Sequence, residues 1–191
     1  MKIDKALNLV LAVDRDGFTI HVHSTPISEE VFENYYLPIS KTFAAIYDEG
    51  LSLSAPRIAS IMLKDVSKRL GLWDGEEGVQ AGLLKEIERL TNVLVPGDNG
   101  GFVSMPLESA RARDKISSEE YREIFGQIIF FIVISAMHKK KLIPQFLAAM
   151  TRMWGGETTS LNSTEYGDYL TTLIVAANTG EKATPQSSIP S

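Results

Sequence analysis

Two alternating runs open the chain. Leu7, Leu9, Leu11 and Val13 occupy every second position, interleaved with Asn8, Val10 and Ala12, and Phe18, Ile20 and Val22 repeat the pattern against Thr19, His21 and His23. A period of two sends successive side chains to opposite faces of a strand. Between the runs lie Asp14, Arg15, Asp16 and Gly17, turn-forming residues with a glycine free to take positive φ. The pattern predicts a β-hairpin over residues 1–24, the clearest β element in the chain. A lone hairpin is only marginally stable in water, so this one must pack on other elements.

From residue 25 the period lengthens. Val31, Phe32, Tyr35, Tyr36, Ile39, Phe43 and Ile46 recur at three- and four-residue spacing, with Thr25 or Ser28 as N-cap and Glu29 and Glu30 in the first turn. Pro38 falls inside this run and predicts a kink or a break near Leu37. Three further helices follow from the same spacing. One carries Ile58, Ile61, Met62, Val66 and Leu70 and stops at Gly71. The next starts at Glu76 and Glu77, runs through Val79, Leu83, Leu84, Ile87, Leu90 and Leu94, and ends at Pro96 and Gly97. The third is capped by Ser117 or Ser118, carries Glu119 and Glu120 in its first turn, and extends to about Lys140. Its stretch 128–137 is almost wholly apolar, but a spanning helix needs roughly 20 such residues, and Arg122 and Glu123 stand just upstream. The expectation is a central helix buried on nearly all sides, with no membrane contact.

Residues 97–117 read as a long connection that hides a short strand at Phe102 and Val103. A late amphipathic helix is expected over 145–154 and one more short helical turn over 161–166. From residue 178 the chain turns polar and Ser/Thr/Pro-rich, as disordered tails are. The fold class that emerges is mainly α: a helical bundle with an N-terminal β-hairpin, α+β by strict count. It forms a single domain over 1–177 with a tail over 178–191.

Composition narrows the chemistry. The 191 residues are 44% hydrophobic and 23% charged, enough apolar surface to bury a real core. Cysteine is absent, which excludes disulfides, thiolate nucleophiles and Cys-ligated metals. Net charge is −5, and all of it resides in residues 1–100, which hold ten Lys/Arg against fifteen Asp/Glu, while the rest hold nine of each. Such a balance does not favour nucleic acid as partner. The first residues mix Lys2, Asp4 and Lys5 with apolar ones, so no secretory leader is expected there.

Candidate catalytic constellations are thin. His21 and His23 share one strand face, a geometry a metal can bridge, but no third ligand stands at convincing spacing, and two polar residues on a solvated hairpin face is the simpler reading. His138, beside Lys139, Lys140 and Lys141, reads as a cationic partner of a helix C-terminus. No Gly-x-Ser-x-Gly elbow exists, and the pairs Glu29–Glu30, Glu76–Glu77 and Glu119–Glu120 each fall where a first helical turn is expected. The glycines of 97–101 lack the Gly-Lys-Ser/Thr ending of a phosphate loop. No metal, no cofactor and no enzymatic activity is therefore expected. The late helix carries Leu142, Ile143, Phe146, Leu147, Met150, Met153 and Trp154 on one flexible apolar face, which either packs in the core or offers a groove to a helical partner. Phe146, Met150, Met153 and Trp154 are the candidate partner-binding residues.

The run TPISEEVFENYYLPISKTFAAIY over 25–47, continued by PRIASIML over 56–63, resembles the tail assembly chaperones of long-tailed bacteriophages. The order of a short β element, a helical body and a polar end is similar too. The resemblance implies an oligomeric protein that coats the helical tape-measure protein until tail-tube subunits polymerise around it, and is then shed. It implies the tape-measure protein and the tail-tube protein as partners, the cytoplasm of the infected bacterium as location, and no catalytic residue. A structural subunit retained in the particle, such as a head–tail connector or a tail terminator, is the alternative.

Overall fold

The computed structural model describes residues 2–3, 7–15, 18–48, 55–96, 102–138, 141–145, 148–149 and 159–160. The elements run β1 (Lys2–Ile3), β2 (Leu9–Arg15), β3 (Phe18–Ser24), α1 (Glu29–Asn34), α2 (Tyr36–Asp48), α3 (Ala55–Arg69), α4 (Leu83–Arg89), β4 (Thr91–Pro96), β5 (Phe102–Pro106), α5 (Leu107–Ala112), α6 (Ser118–Ala136) and β6 (Thr159–Ser160). The strands form one sheet in the order β5-β4-β3-β2-β1-β6. Strands β1 to β5 pair antiparallel, and β6 adds in parallel to β1.

This corrects the expected helical bundle: the fold is mixed α+β, with the hairpin as the centre of a larger sheet. The reason lies in residues 91–96. Leu90 and Leu94 continue the four-residue spacing of α4, yet the helix stops at Arg89 and the chain extends. Val93 and Val95 enter the core while Leu94 is buried on the other face, so an apolar run covered on both sides hides the alternation that marks a strand. Glu76 and Glu77, expected to open that helix, lie in turns, and α4 starts only at Leu83.

Register fixes the inner face of the sheet. Leu11 pairs with Val22, Val22 with Val93 and Val93 with Met105, giving an apolar row across four strands. A second row joins Leu9, Ser24 and Thr91. Its two hydroxyls, fully buried, hydrogen-bond each other at 2.9 Å, and the Thr91 hydroxyl also donates to the Ile87 carbonyl at 2.8 Å. That pairing satisfies the buried polar groups and ties the end of α4 to the sheet.

Against this face packs α6, in contact with β2 on one side and with α2 and α3 on the other. Every residue from Ile128 to Ser135 is buried, as the apolar run predicts for a helix covered all round. Its start is a capping box: the Ser117 N–H donates to Glu120 Oε2 at 2.7 Å, and the Glu120 N–H donates to Ser117 Oγ at 3.2 Å. At Gly126 the helix meets α3 closely enough that a Cβ would stand 2.8 Å from the carbonyl oxygens of Pro56 and Arg57. Helix α3 ends on Gly71 at φ +68, where the N–H groups of Leu72 and Gly71 close on the carbonyls of Ser67 and Lys68.

The break predicted near Leu37 falls two residues earlier, at Tyr35, between α1 and α2. In an uninterrupted helix the Pro38 ring would collide with the carbonyl of Asn34, whereas in the first turn of α2 its missing N–H has no helical partner to lose. The connection 97–117 contains β5, longer than the strand expected there, and α5. The expected turn over 161–166 and tail over 178–191 lie outside the described residues.

Candidate protein-docking surface

The loop from β3 into α1, residues 25–28, passes the C-terminal end of α6, and the two border an apolar groove of about 550 Å³. Leu7, Pro26, Ile27, Phe32, Ala136 and Ile143 form its walls, with Asn8, Thr25, Ser28, Glu29, Ser135 and His138 between them. Ser28 caps α1 by accepting the Val31 N–H at 3.3 Å, which fixes the angle at which Phe32 and Glu29 reach the groove. Leu7 holds a left-handed backbone at φ 67, a conformation that costs a side-chain-bearing residue about 1–2 kcal/mol. Such strain persists only where surrounding contacts over-determine it.

An aromatic ridge adjoins this groove. Phe32 meets Tyr36 edge to face at 5.7 Å, and Phe43 stacks on Tyr47 at 6.5 Å with an 18° interplanar angle. Tyr36, Phe43 and Tyr47 are two turns and then one turn apart on α2, so they share one side of the helix. Phe43 also touches the His138 ring edge to face at 5.7 Å, joining ridge to groove. Tyr36 is 52% exposed, Leu37 44% and Tyr47 63%, a concentration of large apolar side chains in water along α2. Burial holds the His138 imidazole below its ordinary pKa of 6.5, so it is neutral at pH 7. The cationic helix partner expected from the sequence is thus an uncharged wall of the groove.

Two other clefts are more polar. One, of about 470 Å³, opens between α4, α5 and α6 beside Trp73 and Lys85. Here the Tyr121 hydroxyl donates to Glu88 Oε1, Arg111 lies 4.4 Å from the Tyr121 ring centroid, and Phe125 stacks on that ring at 5.4 Å. Burial, with the Glu88 carboxylate second, drives the Tyr121 pKa well above its ordinary 10.0. The phenol therefore stays protonated and acts as a tie between helices. The other cleft, about 460 Å³, lies between α3 and the start of α6 and is edged by Arg57, Glu119, Arg122 and Glu123, with Ile61 64% exposed beside it.

His21 and His23 do share a strand face, the one opposite the apolar rows, where they pair with Ala12 and Val10. Both are half-buried, and Val10 and Leu94 on that face are buried, so it is less open than a solvated hairpin face. Among the described residues no group of three His, Asp or Glu could hold a metal ion, and no helix is long and apolar enough to cross a membrane. The late helix is described at 143–145 and 148–149, whereas Phe146, Met150, Met153 and Trp154 lie outside the described residues. Phe32, Tyr36 and Phe43 belong to the apolar face that the spacing over 31–46 predicts, whereas Tyr47 lies outside it. The break forced by Pro38 was the available sign that Tyr36 and Tyr47 would not follow the same face as α1. No protein-family model, curated protein or solved structure matches the chain at a significant level.

Proposed function

We propose that this chain is a tail assembly chaperone of a long-tailed bacteriophage, acting in the cytoplasm of the infected host. It holds the helical tape-measure protein by apolar contact until the tail tube closes around it. The observation that carries the reading is the ridge of Tyr36, Leu37 and Tyr47 beside the groove walled by Phe32 and Ile143. Rigid aromatic side chains next to an apolar groove suit the apolar stripe of a client helix, because burying both removes surface that each alone leaves in water. The likeness of residues 25–47 and 56–63 to that family supports the same reading, and these residues contribute to α1, α2 and α3. The task requires burial and release, with no bond made or broken.

Co-expression with the tape-measure protein of the same phage, followed by affinity capture and mass spectrometry of purified particles, tests the proposal. The expected result is a client that is soluble only with this chain, co-purifies with it, and leaves it behind in the finished particle. A chain present stoichiometrically in the particle makes it a structural subunit, and a client equally soluble and unbound in both cases removes the chaperone role.

A further inference from the structure

We infer that β5, the outermost strand on its side of the sheet, pairs with the β5 of a second copy, antiparallel about a two-fold axis at Val103, and joins the two sheets into one. The inference stands apart from the client proposal, because a helical client has its backbone groups bonded internally and leaves a strand edge unmet. Among the described residues no strand lies beyond β5. Val103 pairs with Val95 and so shares its core-facing side, yet Val95 is 1% exposed and Val103 47%. Ser104 is exposed beside it, and β5 carries no lysine or other charge, the common guard of an open edge. The nearest charges in sequence, Asp98 and Glu108, lie outside the strand.

Backbone geometry selects the partner and the register. The Thr25 N–H donates to the Leu90 carbonyl at 3.1 Å, continuing the pairing of Ser24 with Thr91. Successive residues of a strand point their N–H and C=O to alternate sides, so Asn92 and Leu94, like Leu90, face β3, while Val93 and Val95 face β5. Met105 and Val103 answer them, which directs the backbone groups of Phe102, Ser104 and Pro106 outward. Pro106 has no N–H, and as N-cap of α5 it gives its carbonyl to the helix. The open edge is therefore the N–H and C=O of Phe102 and of Ser104, a set that is its own complement. A two-fold axis at Val103 puts Phe102 opposite Ser104 of the second copy and satisfies all of these groups with about four hydrogen bonds. It also puts the exposed Val103 against its own copy, with Cα atoms about 4.5 Å apart, so the apolar row through Val95 continues across the interface. An axis at Ser104 would instead aim Phe102 at Pro106, which has no proton to donate.

Sedimentation of the full chain from about 1 to about 300 µM tests the pairing, and an interface this short is expected to give a monomer–dimer equilibrium with a micromolar midpoint. Val103→Lys sets two like charges against each other at the axis, and Ser104→Pro removes an outward N–H without touching the bonds to β4. Each is expected to weaken the dimer by about tenfold or more while the melting temperature stays within a few degrees. The chain has no cysteine, so Val103→Cys places a single thiol at the axis, where the strand spacing suits a disulfide. Mild oxidation is expected to lock that variant as a dimer, whereas Ile61→Cys, on the exposed side of α3, stays monomeric. A chain that is monomeric throughout, with Val103→Cys uncrosslinked, overturns the inference. A dimer that survives both Val103→Lys and Ser104→Pro, or that cross-links as readily through Ile61→Cys, places the second copy elsewhere and overturns it too. The cysteine readout keeps the test decisive if another variant does not fold. None of these measurements involves the tape-measure protein, so the chaperone proposal stands or falls separately, in the capture experiment.

Discussion

Gly126 sits where α6 passes under α3, and replacing it with alanine sets two effects against each other. Alanine is the better helix former by about 1 kcal/mol, which alone would stabilise α6. The added Cβ, however, would lie 2.8 Å from the carbonyl oxygens of Pro56 and Arg57 and 3.2 Å from the Arg57 carbonyl carbon. Reaching ordinary contact at 3.4 Å means moving the helices apart by about 0.6 Å. The obstructing atoms are backbone, and they cannot rotate away as a side chain would. Ala59 and Leu63 on α3 are almost completely buried, so the displacement loosens packing along the seam. Overpacking of this kind costs about 2–3 kcal/mol, leaving a net loss of about 1–2 kcal/mol for Gly126→Ala. Urea unfolding followed by circular dichroism should show the midpoint falling by about 0.5–1 M at unchanged slope. A bulkier Gly126→Leu should fall further. At Gly71, by contrast, φ is +68 and nothing lies within 4 Å of a Cβ, so alanine and leucine there should cost the same, about 1 kcal/mol each. A Gly126→Ala protein as stable as the parent, or more so, refutes the close approach of α3 and α6.

The remaining predictions concern the ties and the exposed ridge. Tyr121→Phe removes the hydroxyl that donates to Glu88 and should cost about 1–2 kcal/mol in urea unfolding. In an ultraviolet pH titration of the parent, Tyr121 should ionise well above its ordinary 10.0; loss of a step at or below that pH in Tyr121→Phe would contradict the buried phenol. His138 has a folded pKa below its unfolded 6.5, so the folded state disfavours its proton. Its share of stability is complete above about pH 6.5 and is lost as pH falls through the lower folded value. His138→Gln should flatten that part of the stability–pH curve between about pH 7 and pH 5, and an unchanged curve counts against burial of the ring. Tyr36→Ser with Tyr47→Ser should leave the unfolding midpoint nearly unchanged, because both side chains are more than half exposed, yet abolish client capture. Retained capture would move the docking surface elsewhere.

Local chemistry was the legible part of this chain. The hairpin strands, the Ser28 and Ser117 caps, the proline break and the buried α6 each follow from signals within a few residues of one another. The larger sheet was not legible, because Val93, Leu94 and Val95 make the segment apolar on both faces and Leu94 continues a helical spacing by coincidence. Strand β4 exists because Val22 offers Val93 a partner some seventy residues away in sequence, information that no local window holds. The candidate docking surface was half legible. Phe32, Tyr36 and Phe43 stand on the predicted apolar stripe, but Tyr47 does not, and the exposure of Tyr36 and Tyr47 depends on what packs against α2. The neutrality of His138 was invisible for the same reason, since it depends on Phe43 packing against the ring.

Amide hydrogen exchange on the chain with and without a co-expressed tape-measure protein tests the central claim most directly. The account predicts slowed exchange over α1 and α2, residues 29–48, and at the end of α6, residues 135–138, with the outer face of β3 unchanged. Protection confined to the sheet, or no protection anywhere, would contradict it.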